Sequence, residues 1–87
     1  MIMLERTMRI GTEDEVARFV ERDMMHLKLL LRSRDAALIE ELIDRIGTFE
    51  RNRDFLRPEV AFSWGQYFGF LESIAELAGR EGGEVNG

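Results

Sequence analysis

Few ionisable side chains of this sequence stand where they could do chemistry, and Asp23 is the first of them. On a helical wheel it falls in the middle of an apolar face, between Leu27 and Leu30. A lone carboxylate lacks the second group that proton transfer requires, whereas a carboxylate at a buried position is usually paired with a cation. Arg45 can lie opposite Asp23 in a helical hairpin. We therefore expect Asp23 and Arg45 to form a structural ion pair, not a catalytic site.

Metal binding finds little support in the sequence. His26 is the single histidine and there is no cysteine, so the chain cannot supply the four nitrogen or sulfur ligands of a structural zinc site. Glu40 and Asp44 are four residues apart, with Glu41 between them, but no second acidic motif accompanies them. We interpret these carboxylates as a solvated helix face and predict neither a metal nor another cofactor.

Nucleophilic catalysis is not indicated either. Ser33, Ser63 and Ser73 lie outside any nucleophile-elbow motif, and His26 alone could serve as a base. We expect the protein not to be an enzyme.

A group of arginines offers an alternative function, because some precede the first helix and the others follow the second, which places them at the same end of a possible hairpin. The candidate phosphate contacts are Arg6, Arg9, Arg51, Arg53 and Arg57. In a dimer such a cluster would be doubled and could bind nucleic acid. Glu5, Glu50 and Asp54 interleave with the arginines, which favours a solvated end of mixed charge over a nucleic-acid surface.

The elements that must position these residues are helices. Thr12 and Glu15 match a capping box, so a helix should begin at about Glu13, and its apolar periodicity runs to about Arg32. A second amphipathic helix follows, with Ser33 or Asp35 as its cap. Either a tight turn at residues 33–35 separates the two helices or one long helix runs through, and we favour the turn because Ser and Asp are common cap residues.

A third helix is predicted from Pro58 to Ala78. Proline suits the first helical position, and Gly79 is a natural residue for the end of a helix. The segment 80–87 is polar and rich in glycine, and we expect it to be a flexible tail. The fold prediction is therefore an all-α bundle, a helical hairpin plus a third helix, with one domain over residues 1–79.

The third helix is unusual because it is apolar on most sides and contains Gly65 and Gly69 in its interior. One arc, centred on Trp64 and Leu71, should pack on the hairpin. The second stripe is the candidate partner-binding surface and consists of Phe62, Gly65, Gln66, Gly69, Phe70, Ser73 and Leu77. Two interior glycines cost about 2 kcal/mol relative to alanine, which a close approach by another helix could offset. Alternatively, residues 1–10 fold over this stripe and complete a monomeric core.

The size, composition and charge of the chain indicate how many domains it forms and what it could bind. The 87 residues are 45% hydrophobic and 33% charged, which is typical of one small globular domain. Small chains without disulfides often gain stability by association, so we expect a homodimer. The net charge is −5, and residues 58–87 carry five acids and one base, which would favour a basic protein as a further target.

From these patterns we predict a non-catalytic interaction module, acting as a regulator, inhibitor or adaptor. Residues 60–71 are too few for a membrane span, no targeting segment is recognisable and cysteine is absent, so we expect a cytoplasmic protein that binds no membrane.

Overall fold

The all-α prediction is confirmed by the structure, a computed structural model that describes the backbone of residues 3–86 and the side chains of residues 4–79. Within that part of the chain there are four α-helices and no strand. The helices are α1 (Met3–Ile10), α2 (Glu13–Arg32), α3 (Ala37–Asn52) and α4 (Ala61–Asn86). Two short 3₁₀ turns, Arg53–Phe55 and Pro58–Val60, connect α3 to α4.

Helix α2 begins at the predicted capping box. The amide of Glu15 donates to the Thr12 hydroxyl at 3.2 Å, and the Glu15 carboxylate accepts from the Thr12 amide at 2.8 Å. Two of the amides that lack partners at a helix start are satisfied in this way, and three acidic residues complement the positive end of the helix. The prediction that this helix spans Glu13 to Arg32 is confirmed.

The turn between α2 and α3 is real, so the alternative of one continuous helix is wrong. The amide of Arg34 donates to the carbonyl of Leu31 at 3.2 Å, and that of Asp35 donates to Leu30 at 3.0 Å. This pair of bonds is the Schellman pattern, which places Arg34 in the left-handed region at φ 56°. The Asp35 carboxylate then accepts from the amide of Ala37 at 2.9 Å and starts α3.

Helix α1 was not predicted. It has eight residues and is too short to be stable alone, so its formation depends on the tertiary contacts of Leu4 and Met8, which are both buried. It packs against α2 and α3. Residues 4–10 therefore pack on the hairpin instead of covering the second stripe of α4, while the side chains of Ile2 and Met3 lie outside the described residues.

Helix α4 differs from its predicted bounds at both ends. Pro58 opens a 3₁₀ turn, and the α-helix begins three residues later at Ala61. The predicted end at Ala78 is wrong, because the helix continues to Asn86. No described glycine has a positive φ, so Gly79 does not form the left-handed cap that would have ended the helix. That residues 80–87 form a flexible tail stays a prediction, and Gly87 lies outside the described residues.

The core lies where α4 packs against α2 and α3. Trp64 and Tyr67 are fully buried, and both rings contact Phe19 of α2 and Phe49 of α3 with centroid separations of 5.6–6.2 Å. Tilted and edge-to-face geometries such as these are the favoured arrangements of aromatic pairs. The aromatic cluster fixes which face of α4 is buried and hence which face is presented outward.

Candidate functional site

The predicted partner-binding stripe lies on the side of α4 that faces away from the core. Phe62 has 77% of its surface exposed and Leu77 has 41%. Between them Gly65, Gln66, Gly69 and Ser73 are all exposed. One turn before Gly65, Ala61 is also exposed. Small residues thus recur at positions 61, 65, 69 and 73, at intervals of four. They make this side of α4 nearly flat.

Phe70 is the exception among the stripe residues. Its side chain is only partly exposed and packs against the hydrophobic core. The ammonium nitrogen of Lys28 lies over its ring, 5.9 Å from the centroid. Phe70 therefore belongs to the edge between α4 and α2, and the outward face is formed by the other six residues.

The glycines of this face have no packing role within the described bundle. A Cβ atom added to Gly65 or to Gly69 would meet no other atom within 4 Å. Both positions lie inside a helix, where glycine is about 1 kcal/mol less favourable than alanine. The bundle therefore pays a local stability cost for two open positions on one exposed face.

An apolar pocket adjoins this face beside Gly65. It has a volume of about 180 Å³ and lies between α3 and α4. Phe49, Leu56, Trp64 and Phe68 supply its apolar walls, and Arg53 stands at its margin. A pocket of this size can receive a single apolar side chain, not a larger ligand.

The buried polar residues form a second, separate group. Arg45 donates two hydrogen bonds to Asp23, from Nε to Oδ2 at 2.6 Å and from Nη2 to Oδ1 at 2.8 Å. The hydroxyl of Tyr67 also donates to Oδ2 of Asp23. The hairpin brings the predicted pair together because positions 23 and 45 lie at the same level of α2 and α3. Tyr67 completes the group from α4, and the sequence pattern had assigned it only to the apolar face.

The surroundings of Asp23 and Tyr67 determine which of the two side chains carries a charge. Burial alone would raise the pKa of Asp23, but the hydrogen bonds from Arg45 and Tyr67 outweigh burial and hold that pKa below its ordinary value. Burial and the bond to Asp23 together raise the pKa of Tyr67, so that its hydroxyl stays protonated. A carboxylate held as an anion by two donors cannot readily exchange protons. The geometry is that of a hydrogen-bonded ionic network that joins three helices.

His26 and the carboxylates of α3 lie near this network. His26 Nε2 is 3.1 Å from Oε1 of Glu41, and Nη1 of Arg45 is also 3.1 Å from that oxygen. Glu40 and Asp44 are exposed. Among the side chains described, no group of three or more acidic residues and histidines is arranged to hold a metal ion.

The five arginines of the alternative site have different surroundings. Arg9 pairs with Glu5 at 3.5 Å and donates to Asn52 at 2.7 Å. Arg57 donates to the carbonyl oxygen of Gly11, and Arg51 to the hydroxyl of Thr48. The remaining two arginines line different pockets. Arg6 lines the pocket between α1 and α2, and Arg53 lines the pocket beside α4. Contacts to phosphate stay a prediction.

Asn52 is a buried residue that the sequence reasoning missed. It is fully buried, donates to the carbonyl of Thr48 at 2.8 Å and accepts from Arg9 of α1. It continues the buried positions Leu38, Leu42 and Phe49 of α3, which are separated by four and seven residues and so lie on one side of the helix, with Asn52 three residues further on. A polar residue in such a series was a visible signal for a buried polar contact.

Comparison of the chain with known protein families, with curated proteins and with solved structures found no match. In the part of the chain that is described, no helix combines the length and the apolar character that crossing a membrane requires.

Proposed function

We propose that this protein is a non-catalytic interaction module that self-associates through the outward face of α4. The observation that carries the proposal is the open space around Gly65 and Gly69. Small side chains at intervals of four allow the backbone of another helix to approach closely, and dispersion contacts then extend along both helices. A helix in a monomer would gain stability from alanine at the same positions.

Phe62 and the pocket beside Gly65 supply further support. A phenylalanine with 77% of its surface in water gains about 1.5–3 kcal/mol when it is fully buried. In a twofold dimer each copy presents both an exposed ring and an apolar pocket on one face, which is the self-complementary arrangement that such symmetry requires. Glu72 and Glu76 are exposed on the same helix, and they would face the rim of the interface.

The module would act by binding, as a regulator, inhibitor or adaptor, and we expect it to work in the cytoplasm. A basic protein target is a second partner that the acidic C-terminal third favours.

The decisive experiment is light scattering coupled to size-exclusion chromatography over a series of protein concentrations. We expect a dimer that Phe62→Glu dissociates, because the substitution would bury a charge in the interface. The matched control is Ile43→Glu on α3, since Ile43 is 68% exposed and its replacement introduces the same charge away from α4. A wild-type monomer at every concentration would refute self-association, and equal loss of the dimer in both variants would refute the assignment to α4.

A further inference from the structure

A groove between α1 and α2 combines positive charge with an apolar wall. Its volume is about 560 Å³, within the range of small-molecule sites, roughly 300–1,000 Å³. Arg6 lines it from α1, and Arg18 and Arg22 line it from α2. The two α2 residues are four apart and therefore lie on the same side of the helix. Three guanidinium groups from two helices thus border one cavity.

None of these three arginines has an acidic group within 4.0 Å, which is also true of most other arginines whose side chains are described. Arg9 and Arg45 each form an ion pair within 4.0 Å, with Glu5 and Asp23 respectively. Among the described side chains, Arg6, Arg18 and Arg22 form none. All three are exposed, so their charge is available to a ligand.

Among the described side chains that line the groove, Glu15 is the acidic one, and its carboxylate already has a hydrogen-bond partner. Its carboxylate accepts the hydrogen bond from the amide of Thr12 in the capping box. This bond is the main cause that lowers the pKa of Glu15, and attraction to Arg18 and Arg6 lowers it further. The carboxylate is within 4.0 Å of none of the three guanidinium groups, but it stays ionised and offsets one of the three positive charges that line the groove.

The apolar part of the groove comes from Phe19 and Ile10. Phe19 is partly exposed beside the arginines, and Ile10 has 62% of its surface in water. A ligand that carried an organic part next to its charged part could cover both side chains. The groove is thus suited to a molecule that is anionic at one end and apolar at the other.

We propose that this groove binds a small molecule that carries at least two phosphate groups. The planar fork of arginine donates two parallel hydrogen bonds to phosphate oxygens, and three such forks against the single carboxylate of Glu15 leave an excess of positive charge for a ligand with two or more phosphate groups. The protein as a whole is acidic, with a net charge of −5, so its overall field would repel anions and binding would depend on the local arginines. This site is independent of the α4 face and adds a ligand to the proposed interaction module.

Isothermal titration calorimetry at low ionic strength tests the proposal, with inorganic tripolyphosphate and a nucleoside triphosphate as the two probes. We expect both to bind, and Arg18→Gln/Arg22→Gln to weaken binding about tenfold or more, which is about 1.4 kcal/mol. Arg6→Gln should weaken it independently from the α1 side. The matched control is Arg32→Gln/Arg34→Gln, which removes the same charge at the hairpin turn and should leave the affinity unchanged.

Circular dichroism on each variant establishes that the helices remain. No heat at millimolar probe, or equal weakening in the control variant, would overturn the phosphate site. Tighter binding of a glutamate-rich peptide than of both probes would also overturn it, in favour of an acidic protein segment. The nucleoside triphosphate should bind more tightly than tripolyphosphate, and equal affinities would overturn the role given to Phe19 and Ile10.

Discussion

Replacing both glycines of the α4 face by alanine should change stability and association in opposite directions. Each substitution adds one methyl group where no atom lies within 4 Å, so neither should clash inside the bundle. Each should therefore contribute the full difference in helix propensity, which is about 1 kcal/mol. The double variant Gly65→Ala/Gly69→Ala should raise the free energy of unfolding of the monomer by about 2 kcal/mol. For a chain of this size that corresponds to roughly 10 °C in Tm.

Association should weaken in the same variant. Two methyl groups between closely packed helices either separate the backbones or force strained contacts, and overpacking of this kind costs about 1–3 kcal/mol. The dissociation constant of the dimer should therefore rise by roughly one to two orders of magnitude. Urea unfolding at a concentration where the chain is monomeric gives the first quantity, and sedimentation equilibrium gives the second.

Gly47→Ala is the matched control because Gly47 also lies inside a helix, α3, and its added Cβ would only touch Nη1 of Arg51 at 3.5 Å. It should stabilise the monomer by about 1 kcal/mol and leave the dissociation constant unchanged. The reasoning is refuted if the double variant associates as strongly as the wild type. It is also refuted if the monomer becomes less stable, since that would mean that the α4 face is not open.

Three further predictions concern the buried network and the hairpin turn. Asp23→Asn should lower the free energy of unfolding by about 3 kcal/mol, because it removes the buried carboxylate that accepts from both Nε and Nη2 of Arg45 and leaves that arginine only its ion pair with Glu41. Asp23→Leu/Arg45→Met/Tyr67→Phe should recover most of that loss in urea unfolding, because it removes all three polar groups of the network together and leaves no buried donor or charge without a partner. The pKa of Asp23 is lowered on folding, so its contribution to stability should be constant above the unfolded pKa of about 3.9 and decline as the pH falls below it. Acid titrations should accordingly show a smaller loss of stability in Asp23→Asn, and an equal loss would contradict the assignment. Arg34→Gly should stabilise the protein by up to about 1 kcal/mol, because Arg34 has a left-handed backbone that glycine adopts without strain; a lower Tm would contradict this expectation.

The sequence predicted the three longer helices because each carries a sustained apolar period, and α2 also has a recognisable start. Thr12 with Glu15 defined the beginning of α2, and the hairpin register placed Asp23 opposite Arg45. The outward face of α4 followed from the same periodicity, since a helix that buries Trp64 and Leu71 must expose Gly69. Local patterns were sufficient to predict those features that depend on which face of a helix is apolar.

Features that depend on contacts between distant residues were not predictable in this way. Helix α1 exists because Leu4 and Met8 pack on α2 and α3, and eight residues carry too little local information to show it. Arg34 adopts a left-handed conformation because the capping bonds require one at that position, although the sequence offers no glycine there. Gly79 gave a strong local signal for a helix end, and the helix continued through it.

The network of Asp23, Arg45 and Tyr67 has a consequence for how the molecule opens. The three residues belong to α2, α3 and α4, so α4 cannot detach while the hairpin stays intact without leaving a buried carboxylate short of a donor. The free energy of such a partial opening includes the loss of a buried hydrogen bond to a charged group. Amide protons in the middle of α4 should then exchange with solvent only when those of α2 do, in a single cooperative unit. The face that α4 presents would therefore behave as a rigid template.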